Sequence, residues 1–487
     1  MPEENGLSKI YSSGKMTDKA ENLAEYSADM SFVTPLKPRW IVKPGNLQQV
    51  IDTVKWANQA GTPLIPVSSG PPHFNGDTVP STSGAVMVDL SGMKKIITIN
   101  RRNRLAVIEA GVTYGQIQSE LAKEGLRLTT TLAPRPNKSV IASLLEREPR
   151  IVPRFQWSAL DPLRCLEVTW GDGQKMTTGN AESGGTLEEE WKMGMAPFMA
   201  AGPAQTDFYR FVSGAQGSMG IVTWASVKCE VLPELHKLFF VTSTKPDNLL
   251  DFMYKLLRFR FGDELLLLNN TCLADILGEN ADRIKALKQA LPPWIVLIGI
   301  AGRDRLPQQR IDFQTQDISD IAQQFGLKLE SEIPGARNGE ISQALFNPSR
   351  EPYWKIGYKG GCQDIFFVTT LEKSPQFVTT MYSAAEAKGY PTSDIGIYIQ
   401  PIHQGASCHC EFNLPYDPGS SKETAKVKEL FSSASQDLLN QGAFYSRPYG
   451  IWAEMALNRD MQTRNALKKV KGIFDPNNIM NPGKLCF

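Results

Sequence analysis

Three stretches of the chain carry side chains whose types and spacing suit chemistry. In FYSRPYGIWAEM (444–455), Arg447 lies between Tyr445 and Tyr449. A guanidinium presents parallel N–H donors to a planar anion, which suits a carboxylate or a phenolate; the alternative is a structural ion pair with Glu454. In PIHQGASCHCEF (401–412), His403 and His409 accompany Cys408 and Cys410. If this segment is a strand, the two histidines have the same parity and share a face. A neutral imidazole there takes a substrate proton near neutral pH, which makes His409 a candidate base. Core imidazoles beside inert cysteines are the alternative, and no metal is assigned. In PLIPVSSGPPHFNG (63–76), a short apolar run empties into Val67, Ser68, Ser69, Gly70, Pro71, Pro72 and His73. Small residues let backbone N–H groups approach a phosphate closely.

The elements that must position these groups follow from periodicity. Val50, Ile51, Val54 and Ala57 recur at helical spacing between Asn46 and Ala60, and Leu64–Val67 reads as a buried strand. With a strand in PRWIVKP (38–44) they form a β-α-β opening. Residues 84–111 read as strands separated by the turn NRRN (100–103), and Tyr114–Glu124 as a helix. No GxGxxG follows a strand, which argues against a Rossmann fold. Residues 1–35 are polar and expected to wrap the surface. Residues 180–215 read as an excursion whose acidic run, Glu188–Glu190, is expected to be solvated. From 235 onward strand–helix units recur: KLFFVTST, WIVLIGIAG and DIFFVTTLE each precede a helix, and IGIYIQPI with SCHCEFNLPYD reads as a hairpin. The whole is an α+β chain.

The bulk composition narrows the function classes. The chain has 487 residues, 41% of them hydrophobic and 21% charged, with a net charge of +1. That balance favours neither a nucleic-acid nor a membrane partner. The first sixteen residues lack the apolar core of a signal peptide, and no apolar run is long enough to span a bilayer. Seven scattered cysteines without a CxxC argue against disulfides and iron–sulfur clusters. A cytoplasmic location is the expectation.

Six ordered segments go further than any one loop. Following the loop at 63–76, they are GAVMVDLSGMKKIITIN (84–100), LAVIEAGVTYGQIQSEL (105–121), KSVIASLLERE (138–148), LEVTWGDGQKMTTG (166–179), GSMGIVTWASVK (217–228) and the tail FDPNNIMNPGKL (474–485). Together they resemble the FAD-binding oxidoreductases of the vanillyl-alcohol oxidase and p-cresol methylhydroxylase (PCMH) superfamily. The resemblance implies a discontinuous PCMH-type FAD-binding domain, residues 1–234 and 444–487, with an α+β cap at 235–443 that covers the flavin and builds the substrate pocket. It implies flavin contacts from the loop residues above, from Pro134, Ser139, Val140, Ala142 and Ser143, and from Gly217, Gly220, Ile221 and Val222. It also implies a small-molecule substrate, oxygen or an electron carrier as acceptor, and pairing as a homodimer.

Departures from the family pattern bear on the substrate. Arg447 matches the family's anion-binding arginine, but Ser446 takes the place of its tyrosine partner. Asn75 takes the place of a second tyrosine, and Gln156 falls near the catalytic aspartate. Lys138, Ala142 and Glu148 stand where glycines are usual. A simple para-substituted phenol therefore fits poorly. Arg150 and Arg154, if they face the pocket, favour an anionic substrate; surface or flavin-phosphate contacts are the alternative. His73 is offset from the family's covalent attachment motif, so the flavin is expected to be non-covalent. The expected activity is oxidation of a small alcohol, phenol or carboxylate-bearing molecule by hydride transfer to flavin, with decarboxylation as a variant. Two alternatives stand beside it: a 2-hydroxy-acid dehydrogenase of the D-lactate and glycolate branch with a metal at His403 and His409, and a flavin-free binding protein on the same scaffold.

Overall fold

Asn46 accepts a hydrogen bond from the Gln49 amide and caps the helix Leu47–Ala60, and Gly61 at φ +63° ends it. Its apolar stripe, Val50, Val54, Trp56 and Ala57, is buried. The helix connects Trp40–Val42 to Leu64–Val67, and both strands run parallel to Val86–Asp89 between them. This is the β-α-β opening expected from the sequence. The computed structural model describes residues 2–12, 14–158, 160–183, 186–204 and 207–487.

A second, antiparallel sheet of five strands has Ile96–Asn100 and Lys175–Thr177 at its edges and Gly220–Lys228 at its centre. The carboxyl end of the chain returns to the first sheet. The Leu64 amide donates to the Ile479 carbonyl at 2.7 Å, and the Asn481 amide donates to the Leu64 carbonyl at 2.8 Å. Lys471, buried, anchors this return through Asp475 at 2.5 Å and the Met480 carbonyl at 2.8 Å.

The third sheet has six strands, all antiparallel, drawn from residues 235 to 416. Its central strand Leu265–Asn269 shows why a continuous apolar run forms there. Leu265 and Leu267 pack on one face against the helices Asp247–Phe259 and Ser421–Asn440. Leu266 and Leu268 pack on the other face against Asn270–Leu277 and Asn338–Phe346. A sheet buried on both faces loses the polar–apolar alternation of a half-exposed one. The architecture is the expected α+β class, with a discontinuous first domain closed by the returning tail and an α+β cap. Leu132, Ala133, Ile151 and Val152 of the first domain join the second of these cores, so cap and first domain share packed side chains.

Three expectations need correction. Residues 1–35 do not merely wrap the surface: Pro2–Ile10 is helical, Leu7 is fully buried, and the Tyr11 hydroxyl meets Thr53 at 2.6 Å. The acidic run is not fully solvated either. It opens the helix Leu187–Lys192, whose capping box is built by Thr186 and Glu189, and Glu190 turns inward to 1% exposure. Helix geometry forces this, because three consecutive residues cannot all face one side. Residues 184, 185, 205 and 206 of the excursion lie outside the described residues. Finally, the 401–412 segment is not one strand: strands Gly396–Ile402 and Ser407–Tyr416 are joined by a turn at His403–Gly405.

Candidate active site

The loop after Leu64–Val67 is held by its carbonyl groups. Arg135 donates to the carbonyls of Gly70, at 3.0 Å, and Pro72. Asn137 Nδ2 donates to Pro71 at 2.5 Å, and the Met30 amide donates to His73 at 2.9 Å. Lys484 Nζ donates to Gly76 and Val79, each at 2.7 Å. The amides of Ser68, Ser69, His73 and Phe74 donate to no acceptor among the described residues. Val67, Ser68, Ser69, His73 and Asn75 line a cleft whose mouth opens to solvent. Prolines thus replace glycines here without closing the loop, because neighbouring side chains satisfy the carbonyls and the amides stay free for an anion.

Pro134, Ala142, Gly217, Gly220 and Val222 line the same cleft. Gly217, at φ +69°, would place an added Cβ 2.6 Å from Pro66. Gly70 to Pro72 stand behind the lining as the clamped part of the loop. Ser139, Val140, Ser143 and Ile221 are buried behind the surface. Ser139 Oγ donates to the Ala110 carbonyl at 2.6 Å and accepts from the Ala142 amide, capping a short helix. His73 is buried, with Nε2 unpartnered among the described residues. Burial, then the charges of Arg135 and Lys138, push its pKa down to about 4, so the ring is neutral at pH 7. Free amides, an orphaned imidazole nitrogen and a cleft lined by residues of both the loop and the cap fit a phosphate-bearing cofactor.

The cap closes the cleft with a polar network. Along Ser407–Tyr416, Cys408, Cys410, Phe412 and Leu414 pack into the core, while His409, Glu411 and Asn413 share the opposite face. Asp364 pairs in register with Asn413, and Phe366 with Glu411. Lys355, from the turn Trp354–Ile356, reaches Asp364 at 2.5 Å and Glu411 at 2.6 Å. Asn413 Nδ2 donates to Asp364 at 2.7 Å and Glu411 at 2.8 Å, and His409 Nε2 meets Glu411 at 2.9 Å. Burial alone would raise Glu411, but Lys355 and the His409 bond outweigh it and hold the carboxyl well below its ordinary range. Burial lowers His409 despite Glu411.

Segment 444–449 lies along the edge strand, with Phe444 and Val368 exchanging backbone hydrogen bonds. It lays the Arg447 guanidinium 3.9 Å above the Phe366 ring, with Nη2 3.4 Å from His409 Nδ1. Arg447 is 7% exposed, lines the cleft and has no carboxylate at ion-pair distance among the described residues. It does not pair with Glu454. Tyr449 and Asn75 line both this cleft and an adjoining chamber walled by Phe32, Phe431 and Trp452.

Other candidates fall elsewhere. Tyr445 is buried behind the site, stacked on Trp452 at 4.8 Å and donating to the Ser435 carbonyl. Arg154 turns away from the cleft toward Asp263 at 3.7 Å, and Arg150 is buried against the Tyr114 hydroxyl. His403, in the turn, bonds Ser407 at 2.8 Å, whereas His409 bonds Glu411, so the two imidazoles do not converge. Shared parity failed because His403 lies outside the strand. His409 engages both ring nitrogens, which suits an orienting group better than a free base. Sequence reasoning missed Lys355, Asp364, Glu411 and Asn413. The signal was the alternation in CHCEFNL, whose polar residues all fall at one parity.

Comparison with known proteins agrees with this geometry. Residues 38–147 match the FAD binding domain family, and residues 291–485 match the C-terminal domain of FAD linked oxidases. D-2-hydroxyglutarate dehydrogenase of Stutzerimonas stutzeri is 22% identical over 98% of this chain and 97% of its own. The 1'-carboxy-chondrochloren decarboxylase of Chondromyces crocatus is 26% identical, but over 46% of this chain and only 39% of its own length. Among solved structures, p-cresol methylhydroxylase with substrate bound superposes with a TM-score of 0.84 at 17% identity, covering 100% of this chain and 96% of that one. The flavin-free alternative is thereby set aside. The chain carries the FAD binding domain and the C-terminal domain of FAD linked oxidases on the fold of p-cresol methylhydroxylase, which makes it an FAD-dependent oxidoreductase with FAD as its cofactor.

Proposed function

We propose that this FAD-dependent oxidoreductase oxidises a small hydroxyl-bearing organic molecule that also carries a negatively charged oxygen group, a carboxylate or a phenolate. The observation that carries the reading is Arg447: a buried guanidinium at the cleft surface without a carboxylate partner among the described residues. A buried charge is strongly disfavoured unless it is paired, so the site is complete only with an anion in the cleft. Phe366 supports the guanidinium from below and His409 fixes its orientation. Tyr398, Tyr449 and Trp354 supply apolar wall that excludes water. The amides of Ser68, Ser69, His73 and Phe74 would hold the cofactor's pyrophosphate. Bound FAD supplies a two-electron, hydride-accepting centre; oxygen or an electron carrier is the final acceptor. The relatives named for a hydroxy acid and for p-cresol both carry an ionisable oxygen on the substrate, which is consistent with the reading. A metal-assisted route through His403 and His409 has no support in their separate partners.

We further propose that residues 1–234 and 444–487 form the flavin domain and 235–443 the cap, a division that the grouping of the strands into sheets supports. The test of function is anaerobic bleaching of the bound flavin by D-lactate, D-2-hydroxyglutarate and 4-hydroxybenzyl alcohol, each compared with an analogue lacking the charged oxygen. Bleaching by an anionic member alone supports the reading. Equal bleaching by the uncharged analogues refutes it.

A further inference from the structure

A second charged cluster lines the cleft, on the flavin-domain side. Lys138 Nζ lies 2.6 Å from Glu146 and 3.4 Å from Glu148, and all three side chains border the cleft. Two carboxylates therefore share one ammonium, leaving the trio one negative charge in excess. Glu148 is tethered from behind: Ser143 Oγ donates to it at 2.5 Å, Tyr114 meets Ser143 at 3.0 Å, and Arg150 donates to the Tyr114 hydroxyl at 2.5 Å. Glu146, by contrast, has no hydrogen-bond donor besides Lys138 among the described residues. The surroundings are mixed in sign. Asp77, Tyr449 and Tyr353 face the trio on the acidic side; Arg135, Arg150 and Arg447 face it on the basic side, and neutral His73 lies beside Lys138.

Removing two electrons and one hydrogen from a carbinol as hydride leaves one proton on its oxygen, and that proton needs an acceptor. Gln156 cannot take it, His409 has both nitrogens engaged, and Glu411 is consumed by Lys355 and His409. We propose that the Glu146–Glu148 pair, held by Lys138, is the proton acceptor of this reaction: the substrate O–H bond breaks toward the pair as the carbinol carbon gives its hydride to oxidised FAD. The product is a carbonyl compound, the cofactor gains two electrons and one proton, and the pair gains the other proton. The inference rests on the function proposed above. Two like charges on one cation titrate as a unit. Burial, reinforced by Glu148, raises Glu146 to about 7 against the pull of Lys138. Burial also works against an ionised Glu148, but Lys138, Ser143, Arg447 and Arg150 outweigh it and hold Glu148 low. One exchangeable proton near neutrality is what a general base requires.

The test uses the FAD-loaded enzyme and has two arms. Infrared difference spectra between pH 5 and pH 9 should show protonated-carboxyl absorbance that disappears near neutral pH, and Glu146→Gln should remove the Glu146 part of it while the Asp275 part remains. With an alcohol that bleaches the flavin, the rate of anaerobic bleaching should rise with pH through neutrality. Glu146→Gln should cut it by roughly 10²–10⁴-fold and abolish that rise, while Glu146→Asp keeps part of the rate. Glu148→Gln, which spares Glu146, should shift the midpoint of the rise. A band left unchanged by Glu146→Gln, or a Glu146→Gln enzyme that keeps both rate and pH profile, overturns the proposal. Failure of every alcohol to bleach the flavin while the band behaves as stated refutes the functional reading instead. If Glu146→Gln does not fold with FAD, the Glu148→Gln shift decides.

Discussion

Arg447 Nη2 lies 3.4 Å from His409 Nδ1, and His409 Nε2 lies 2.9 Å from Glu411. A neutral ring that donates Nε2–H to the carboxylate leaves its Nδ1 lone pair facing the guanidinium. The cap strand thereby orients the anion-binding arginine without neutralising it. Arg447→Ala should lower kcat/KM for an anionic substrate by about 10²–10⁴-fold, the equivalent of two charge-assisted hydrogen bonds. Arg447→Lys should restore only part, because an ammonium lacks the planar fork. Flavin absorbance after gel filtration should show FAD retained in both.

His409→Ala should act through that orientation. KM for the anionic substrate should rise by about 10-fold, with kcat changed less. Steady-state kinetics on one substrate separate the two parameters; an equal loss in both would give His409 a direct part in the chemistry.

Lys355 neutralises two buried carboxylates. Lys355→Met would leave Asp364 and Glu411 facing each other without a cation, so unfolding stability should fall by roughly 3–5 kcal/mol. Denaturant unfolding at pH 7 measures this. The loss should shrink in acid, where protonation removes the repulsion.

Asp275 is 5% exposed, and its Lys288 partner is 3.9 Å away. Burial raises its carboxyl from 3.8 to about 7. A carboxyl raised on folding favours the native state most at low pH, and that advantage is lost as pH rises from about 4 through 7. Asp275→Asn should therefore be more stable than the parent at pH 8, by on the order of 2 kcal/mol. The gap should close toward pH 4 in parallel denaturant titrations.

His73 borders the cleft as a neutral imidazole in a clamped loop, its Nε2 without a partner among the described residues. The flavin is expected to be held by hydrogen bonds alone. Acid precipitation should leave yellow FAD in the supernatant, and a yellow pellet would show a covalent link.

Segment order and periodicity made much of this protein legible. The β-α-β opening, the glycine and proline loop and the returning tail are local patterns read along the chain. Arg447 was found because its neighbours Tyr445 and Tyr449 stood in a recognisable string, yet Tyr445 proved to be a core residue stacked on Trp452. Arg154 was misjudged for a similar reason: charge is visible in a sequence, but its distant partner Asp263 is not.

By itself the sequence determined the α+β class, the flavin family and which residues could bear charge, since helix and strand periods and turn residues act over a few positions. Only the tertiary structure decided which charges neutralise one another. Lys355 silences Glu411 and Asp364, Lys138 is shared between Glu146 and Glu148, and Arg447 has no carboxylate at ion-pair distance among the described residues. The physical reason is that electrostatic energy depends on separation and burial. Both are set where strands far apart in the chain meet, as Arg447 meets Phe366 and His409.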